Sequence, residues 1–323
     1  MKKTPTSNDA LKAWLGQGTS WMHLGHLTTC LWLVAALIQT GEVSLTKWVK
    51  YVPCRGQYAQ SRQRRIRRWL GNSRINVHRL SKPIIQAALA TWEDPCLYVS
   101  LDTTQFWDEY CLIRLAVVHR GRALPLAWRV LEHASATVAF SEYPEMLTHA
   151  ARYLPQGVKV ILLADRGFIH TDAMSAVRRL GWHYRIRLKG NTWLWRSTGG
   201  WIQPNTVHLA LGEVRCYHNV KLHKQQWYGP VHVIFGRNNL NGELWVVVSD
   251  EPTTIQTFQE YGLRFDIEIS QPECPHKHLR GDAGFAWLRT MGQSWSYSLL
   301  SNYRDVLGDS GMRAIAGTSP RQR

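Results

Sequence analysis

The sequence predicts a mixed α/β fold, and three observations indicate it. Two apolar runs each lead into an aspartate: residues 97–104, LYVSLDTT, contain Asp102, and residues 158–167, VKVILLADRG, contain Asp165. Continuous apolar runs of this length are typical of strands buried on both faces of a sheet. The third observation is that strand-like and helix-like segments alternate over residues 96–189.

The predicted elements follow the order βββαβαβ. Strands are expected at residues 97–101, 112–119, 123–130, 158–164 and 183–188, and helices at residues 141–153 and 173–180. This order places Asp102 and Asp165 at strand ends on neighbouring strands. The arrangement is the ribonuclease-H-like one, so we expect a mixed sheet of that kind.

Five regions are expected along the chain. Residues 1–95 are predicted to be a helical DNA-binding region, and residues 96–189 the first part of a catalytic core. Residues 190–250 look like a β-rich insertion, and residues 251–269 carry a helix expected from about residue 254. Residues 270–323 form an atypical tail. Within the insertion, strands are expected at residues 193–195, 207–211, 214–217, 232–235 and 244–249.

The charge balance favours a polyanionic partner. Lys plus Arg number 39 against 23 Asp plus Glu, a formal net charge of +16. Nucleic acid is the commonest partner of such a protein, although a basic but otherwise ordinary enzyme is the alternative.

The basic residues cluster in residues 59–80, a stretch with no carboxylate. Phosphates would satisfy these guanidiniums, so we predict DNA binding here, against the alternative of a solvated helix face. The predicted DNA-binding arginines are Arg62, Arg64, Arg65, Arg67 and Arg68.

Cysteine usage and the apolar runs indicate a soluble cytoplasmic protein, at the nucleoid if it binds DNA. The six cysteines are scattered without a C-x-x-C pair, which is typical of a reduced, intracellular protein. The N-terminus lacks an apolar signal region, and the run at residues 31–38 is too short to span a bilayer.

Three carboxylates are candidates for a metal site: Asp102, Asp165 and Glu268. Shared carboxylates hold two Mg²⁺ (or Mn²⁺) ions ~4 Å apart in two-metal phosphoryl transfer, and no Cys/His spacing suggests zinc. In residues 261–268, YGLRFDIE, Tyr261, Arg264 and Glu268 share one helix face at i, i+3 and i+7. Each pattern alone has an ordinary explanation, namely a turn-capping aspartate or an amphipathic helix.

Four segments in order resemble the DDE transposases of the "insertion sequence four" family. They are LDTT at Asp102, ADRGF at Asp165, RIRLKGN at residues 185–191 and YGLRFDIE at residues 261–268. The likeness covers roughly residues 10–269. In that family a β-strand insertion splits the catalytic core between the second Asp and the Glu.

The resemblance implies an activity and a set of partners. It implies a metal triad of Asp102, Asp165 and Glu268 that cleaves transposon ends, followed by transfer of the freed 3′-hydroxyl into target DNA. The partners implied are the inverted repeats and target as double-stranded DNA, with a homodimer in the synaptic complex. The resemblance also implies DNA contacts on both sides of the insertion, at Tyr261, Arg264, Arg187 and Lys189.

The end of the chain departs from the family pattern. A Lys is expected seven residues after Glu268, but that position is Pro275, and Pro272 and Pro275 both stop a helix. Residues 270–323 contain one Val and one Ile. We therefore hypothesise that the reading frame shifts after Ile269, against the alternative of a native, divergent tail.

Three functions follow from these patterns. The first is a DDE transposase, with weak or no cleavage if the tail is out of frame. The second is a non-catalytic DNA-binding remnant, or an inhibitor of an intact transposase. The third, a structure-selective nuclease on the same fold, leaves the Tyr–Arg–Glu spacing unexplained.

Overall fold

The structure is a computed structural model and describes residues 23–41, 44–53, 58–90, 92–106, 109–119 and 122–265. The described residues form two compact units, divided in the sequence between Trp92 and Glu93. The predictions for Glu268 and for the tail at residues 270–323 lie outside the described residues.

The N-terminal unit is helical in its described residues, as the sequence predicts. Its α-helices are α1 (Leu24–Thr40), α2 (Leu45–Trp48), α3 (Ala59–Leu70) and α4 (Val77–Leu89). Gly41 ends α1 in the left-handed conformation, with φ of 66°, and donates its N–H to the carbonyl of Leu37. The Ser44 side chain begins α2 by accepting a hydrogen bond from the backbone N–H of Lys47.

Helices α1 and α3 pack together in the core of this unit. Leu33 and Ala36 of α1 and Ile66 of α3 are completely buried. The Trp69 indole N–H donates to the carbonyl of His26 at 3.0 Å. Apolar packing and this hydrogen bond therefore fix the orientation of the arginine-rich helix α3 relative to α1.

The second unit is built on one ten-stranded sheet. Its strands are β1 (Cys96–Phe106), β2 (Tyr110–His119), β3 (Arg122–Glu132), β4 (Lys159–Ala164), β5 (His183–Arg187), β6 (Leu194–Arg196), β7 (Gly200–Ile202), β8 (Val214–Leu222), β9 (Tyr228–Arg237) and β10 (Leu244–Ser249). The strand order is β3-β2-β1-β4-β5-β10-β9-β8-β6-β7.

The first five strands form a ribonuclease-H-like core. Strands β1, β2 and β3 pair antiparallel, whereas β4 runs parallel to β1 and β5 runs parallel to β4. All five strands were predicted, and the mixed sheet they form confirms the predicted fold class.

The strands in residues 190–250 extend the same sheet, because β10 pairs antiparallel with β5.

The strand predicted at residues 207–211 was wrong. Val207 instead closes a 3₁₀ turn that begins at Pro204, and the backbone N–H of Ala210 donates to the Glu213 carboxylate at 2.8 Å. The sequence did not predict β7, which pairs with β6 at the sheet edge.

Three helices pack on the sheet: α5 (Pro144–Ala151), α6 (Thr171–Arg179) and α7 (Ile255–Gly262). Helix α5 packs against β2 and β3, α6 against β5, and α7 against β5 and β10. Tyr261 of α7 is fully buried in a cluster with Ile234 and Val247. Helix α7 begins at a capping box on Thr254.

The helix predicted from about residue 254 to residue 269 is interrupted by a turn at residues 263–264; Phe265 is helical again, and residues 266–269 lie outside the described residues. Helix α7 ends at Gly262, and the backbone N–H of Arg264 donates to the carbonyl of Tyr261 at 3.0 Å in the turn that follows. Separately, no helix in the described ranges is long and apolar enough to cross a membrane.

Candidate active site

Asp102 and Asp165 lie side by side in the sheet. The last register pair of the parallel β1–β4 ladder is Leu101 with Ala164, and each aspartate is the next residue along the chain. Adjacent strands lie about 4.8 Å apart, and residues at the same level of two parallel strands project to the same face. The sheet therefore places the backbones of the two predicted acidic residues next to each other at the carboxyl end of β4.

The two aspartates differ in their position relative to the ends of β1 and β4. Asp165 directly follows β4, as predicted. Asp102 does not end β1, which was the expectation, because β1 continues to Phe106. The continuation is held by the antiparallel ladder to β2, which pairs Asp102 with Arg114 and Phe106 with Tyr110.

Asp165 is oriented by the 3₁₀ turn Arg166–Phe168. Its side chain caps this turn by accepting a hydrogen bond from the backbone N–H of Gly167. A Cβ atom at residue 167 would lie 2.9 Å from Asp165 Oδ1. Because glycine has no Cβ atom, the Asp165 carboxylate can lie against residue 167.

Asp102 faces two guanidiniums. Arg264 Nη1 lies 3.6 Å from Asp102 Oδ1, and the two side chains are 8% and 13% exposed. Arg114 is buried on β2 as the register partner of Asp102. Burial lowers the pKa of Arg114 to about 10, and the Asp102 charge opposes that shift. Sequence reasoning missed Arg114, although a lone charge in the apolar run of residues 112–118 was a visible signal.

Tyr261 and Arg264, predicted to share a helix face, do lie together. The Arg264 guanidinium is 5.9 Å from the Tyr261 ring centroid, and the Trp245 ring packs perpendicular to that of Tyr261 at 5.7 Å. Burial raises the pKa of Tyr261, Arg264 and Arg187 lower it, and Asp165 raises it further. Tyr261 and Arg264 are almost fully buried, so direct contact with DNA would require them to become exposed.

Arg187 and Lys189 differ in their surroundings. Arg187 forms an ion pair with Glu243, and its guanidinium lies 5.3 Å from the Trp245 ring centroid. Lys189 is exposed, just beyond the end of β5. Arg187 is therefore tied to protein partners beside the site, and its contact with DNA stays a prediction.

The two aspartates suit a divalent cation. Both offer only carboxylate oxygens, the ligand type that Mg²⁺ and Mn²⁺ prefer. Within the described residues, no group of three His, Cys, Asp or Glu side chains lies close enough to hold a metal ion. The predicted third acid, Glu268, lies outside them.

The five predicted DNA-binding arginines of α3 divide into two groups. Arg62 donates to the carbonyl of Val49 at 3.4 Å. Arg65 donates to the carbonyl of Pro53 at 3.2 Å and lies 4.8 Å from the Trp32 ring centroid. These two are half-buried, and their main-chain carbonyl partners explain why a stretch without carboxylates can still satisfy them.

The other three are exposed at i, i+3 and i+4 on α3: Arg64, Arg67 and Arg68. Residues with this spacing lie on one helix face. They form an outward basic surface, here called the α3 arginine face.

Comparison with known proteins identifies the family. The family model described as "Transposase DDE domain" matches residues 110–282, which is more than half of the chain, and the chain belongs to this family. The matched segment includes Asp165 and the predicted Glu268 and begins after Asp102. No curated protein matches the chain.

Two solved structures are among those that match this chain. The piggyBac transposase in a synaptic complex with hairpin DNA is 9% identical, with 98% of this chain and 80% of that chain covered and a TM-score of 0.49. The Marinitoga piezophila Argonaute in complex with 5′-OH guide RNA and target DNA is 10% identical, with 68% and 33% covered and a TM-score of 0.26.

Proposed function

We propose that this chain cleaves DNA at the ends of a mobile element and joins the freed 3′-hydroxyl to target DNA, as a member of the "insertion sequence four" group. The observation that carries the proposal is the neighbouring pair of Asp102 and Asp165, with Arg264 3.6 Å from Asp102. The chain matches a transposase domain. Phosphoryl transfer is the chemistry that best explains a pair of neighbouring aspartates in such a domain.

Asp102, Asp165 and, by the sequence prediction, Glu268 would hold two Mg²⁺ or Mn²⁺ ions. When bound, such ions supply activation of the attacking oxygen and stabilisation of the leaving oxygen. The chain's own residues orient the carboxylates: the Gly167 backbone N–H fixes Asp165, and Arg264 fixes Asp102. Arg264 and the buried Arg114 also offset part of the negative charge that a DNA phosphate would meet at this sheet end.

We propose that the α3 arginine face binds the DNA backbone. Its three guanidiniums are exposed on one face, and the whole chain carries a formal net charge of +16. Exposed guanidiniums pair with phosphates bidentately and without reading sequence.

Four residues are proposed to support the DNA end near the aspartates: Tyr261, Arg264, Arg187 and Lys189. Two element ends must be brought together, so a homodimer acting at the nucleoid is part of the proposal.

The experiment is a cleavage and binding assay on a duplex that carries the inverted repeats flanking the gene. We expect cleavage in Mg²⁺ and in Mn²⁺, none in a chelator, and retained DNA binding in all three. Binding without cleavage under every metal condition would contradict the proposed activity and favour the second candidate.

That second candidate, a non-catalytic DNA-binding remnant or inhibitor, rests on the tail. We propose that the frame shifts after Ile269, because Pro272 and Pro275 interrupt the segment in which the family pattern expects a Lys. The family match, which extends to residue 282, favours the alternative of a native tail. Translating the two other frames of the gene past codon 269 tests this. An apolar helix with the missing Lys in one frame would support the shift, and its absence from both would contradict it.

A further inference from the structure

Arg185 is a buried charge at the centre of a network beneath α7. Its side chain is 5% exposed, and it lies on β5 opposite Leu163 of β4. Leu163 is two residues before Asp165, so Arg185 sits about 7 Å along the sheet from the level of the aspartates. The family resemblance did not assign it a function.

The Arg185 guanidinium donates hydrogen bonds to α7 and to the segment that precedes it. Nε donates to Glu260 Oε2 at 2.7 Å, and Nη2 donates to Glu251 Oε2 at 2.9 Å. Nη1 donates to Ser249 Oγ at 2.9 Å and to the Tyr184 carbonyl at 3.0 Å. Glu260 is in α7, whereas Glu251 precedes it, so one side chain holds the helix and the segment that leads into it.

The two glutamates extend the network to other strands. Lys159 of β4 donates to Glu251 Oε1 at 2.6 Å, and the Tyr98 hydroxyl of β1 lies 3.5 Å from Glu260 Oε1. Burial lowers the pKa of Arg185, but Glu251 and Glu260 outweigh it and raise that pKa above its ordinary value. The network therefore connects α7 with the two strands that carry the aspartates.

We propose that Arg185 is a positioning residue that, through Glu260, holds α7 where Arg264 reaches Asp102. Glu260 is four residues before Arg264 and directly precedes Tyr261. On the side of β9 and β10, apolar packing of Tyr261 with Ile234 and Val247 already fixes the helix. On the side of β1 and β5, Glu260 holds the helix through hydrogen bonds from the Tyr98 hydroxyl and from Arg185 Nε. The functional part of this inference rests on the proposed cleavage activity.

The Arg185→Gln variant tests this positioning role. It keeps a polar side chain but removes the positive charge and the planar guanidinium with its several N–H donors. Removing one partner of a buried ion pair leaves the others uncompensated, so α7 should loosen while the apolar sheet stays folded. The matched control is Arg215→Gln, which removes an ion pair with Glu213 whose side chains are 42% and 35% exposed.

Hydrogen exchange followed by mass spectrometry gives the structural readout. We expect at least tenfold faster exchange in the peptide containing Ile255–Gly262 of the Arg185→Gln variant, with the peptides of β1 and β4 unchanged. Cleavage should fall at least thirtyfold in kcat with little change in KM for DNA. The Arg215→Gln variant should match the wild type in both measurements.

Three results would overturn the proposal: unchanged exchange in α7, faster exchange spread evenly over the sheet, or faster α7 exchange with wild-type cleavage. Should Arg185→Gln fail to fold, Glu260→Ala removes the acceptor of the Arg185 and Tyr98 hydrogen bonds from the helix side and must give the same pattern. If the wild type does not cleave DNA, the proposed function fails separately, and the exchange measurement alone decides whether Arg185 positions α7.

Discussion

The Arg264 guanidinium lies 3.6 Å from the Asp102 carboxylate, and both side chains are nearly buried. These residues are far apart in the sequence, and the contact brings the segment after α7 onto the first core strand. Asp102 and Asp165 directly follow Leu101 and Ala164, the last pair of the parallel β1–β4 ladder. One contact therefore links the motif around Tyr261 and Arg264 to both proposed metal ligands.

The substitution Arg264→Gln should lower cleavage by about 10²-fold, because Asp102 loses a charged partner and the site loses a donor. Arg264→Lys keeps the positive charge but lacks the planar guanidinium group, so we expect a cleavage rate between those of the wild type and Arg264→Gln. Rates are compared at saturating DNA and Mg²⁺. The control is Arg129→Gln, which removes an exposed pair with Glu142, and equal losses in both variants would argue against a specific effect of Arg264.

The substitution Gly167→Ala should impair cleavage by at least about tenfold, because its Cβ would lie 2.9 Å from Asp165 Oδ1. The cost in stability should be about 1–3 kcal/mol, the usual range for added bulk in a packed site. Thermal unfolding and cleavage are measured together. Gly25→Ala is the control, since no atom lies within 4 Å of its added Cβ; it should leave cleavage unchanged and stabilise α1 by up to about 1 kcal/mol.

The triple substitution of Arg64, Arg67 and Arg68 by Gln should weaken duplex binding at all sequences alike. If each guanidinium neutralises one phosphate, the slope of log K against log salt should become shallower by about 3 units. Binding titrations at several salt concentrations measure this slope. Arg62→Gln should instead destabilise the N-terminal unit, because Arg62 donates to Val49, and an unchanged slope in the triple variant would exclude the α3 arginine face as the DNA contact.

Glu251 should contribute a stability that depends on pH. Burial raises its pKa, but hydrogen bonds from Lys159 and Arg185 outweigh burial and hold that pKa below its ordinary value of 4.5. A carboxyl whose pKa is depressed by folding stabilises the protein above its unfolded-state pKa, and this contribution is lost as pH falls through the folded-state pKa. Glu251→Gln should therefore lower the free energy of unfolding by about 1–3 kcal/mol at pH 7 and by progressively less below pH about 4.5.

Denaturant unfolding of wild type and Glu251→Gln from pH 7 down to pH 3 gives this difference. Glu213→Gln serves as the comparison, because its pair with Arg215 is exposed and solvent screens it. A Glu251 difference that stays constant over the whole pH range would contradict the linkage.

Much of the core fold was predictable because its signals are local. The apolar run before Asp165 specified β4, and residues 254–257 specified the start of α7 through a capping box. The position of Asp102 inside β1 was not predictable, since the strand continues only because β2 pairs with its polar end. A strand at residues 207–211 was predicted from apolar residues, but the Glu213 side chain holds a turn there instead.

The parts of the site that the sequence did not reveal depend on distant partners. Arg187 pairs with Glu243, near the end of the insertion, and its predicted contact with DNA stays a prediction. Arg62 and Arg65 looked unsatisfied because main-chain carbonyls carry no sequence signal. The Arg185–Glu260 pair joins residues 75 positions apart, a separation at which residue spacing alone predicts no contact.

Asp102 and Asp165 are proposed to act as one catalytic pair. The most direct test is Mg²⁺-dependent cleavage by Asp102→Asn, Asp165→Asn and the double variant. Because residues that act as a unit are not additive, each single variant should lose cleavage as completely as the double variant while all three still bind DNA. Asp172→Asn, which changes an exposed aspartate at the start of α6, should cleave normally. Wild-type cleavage by either single variant would contradict the account.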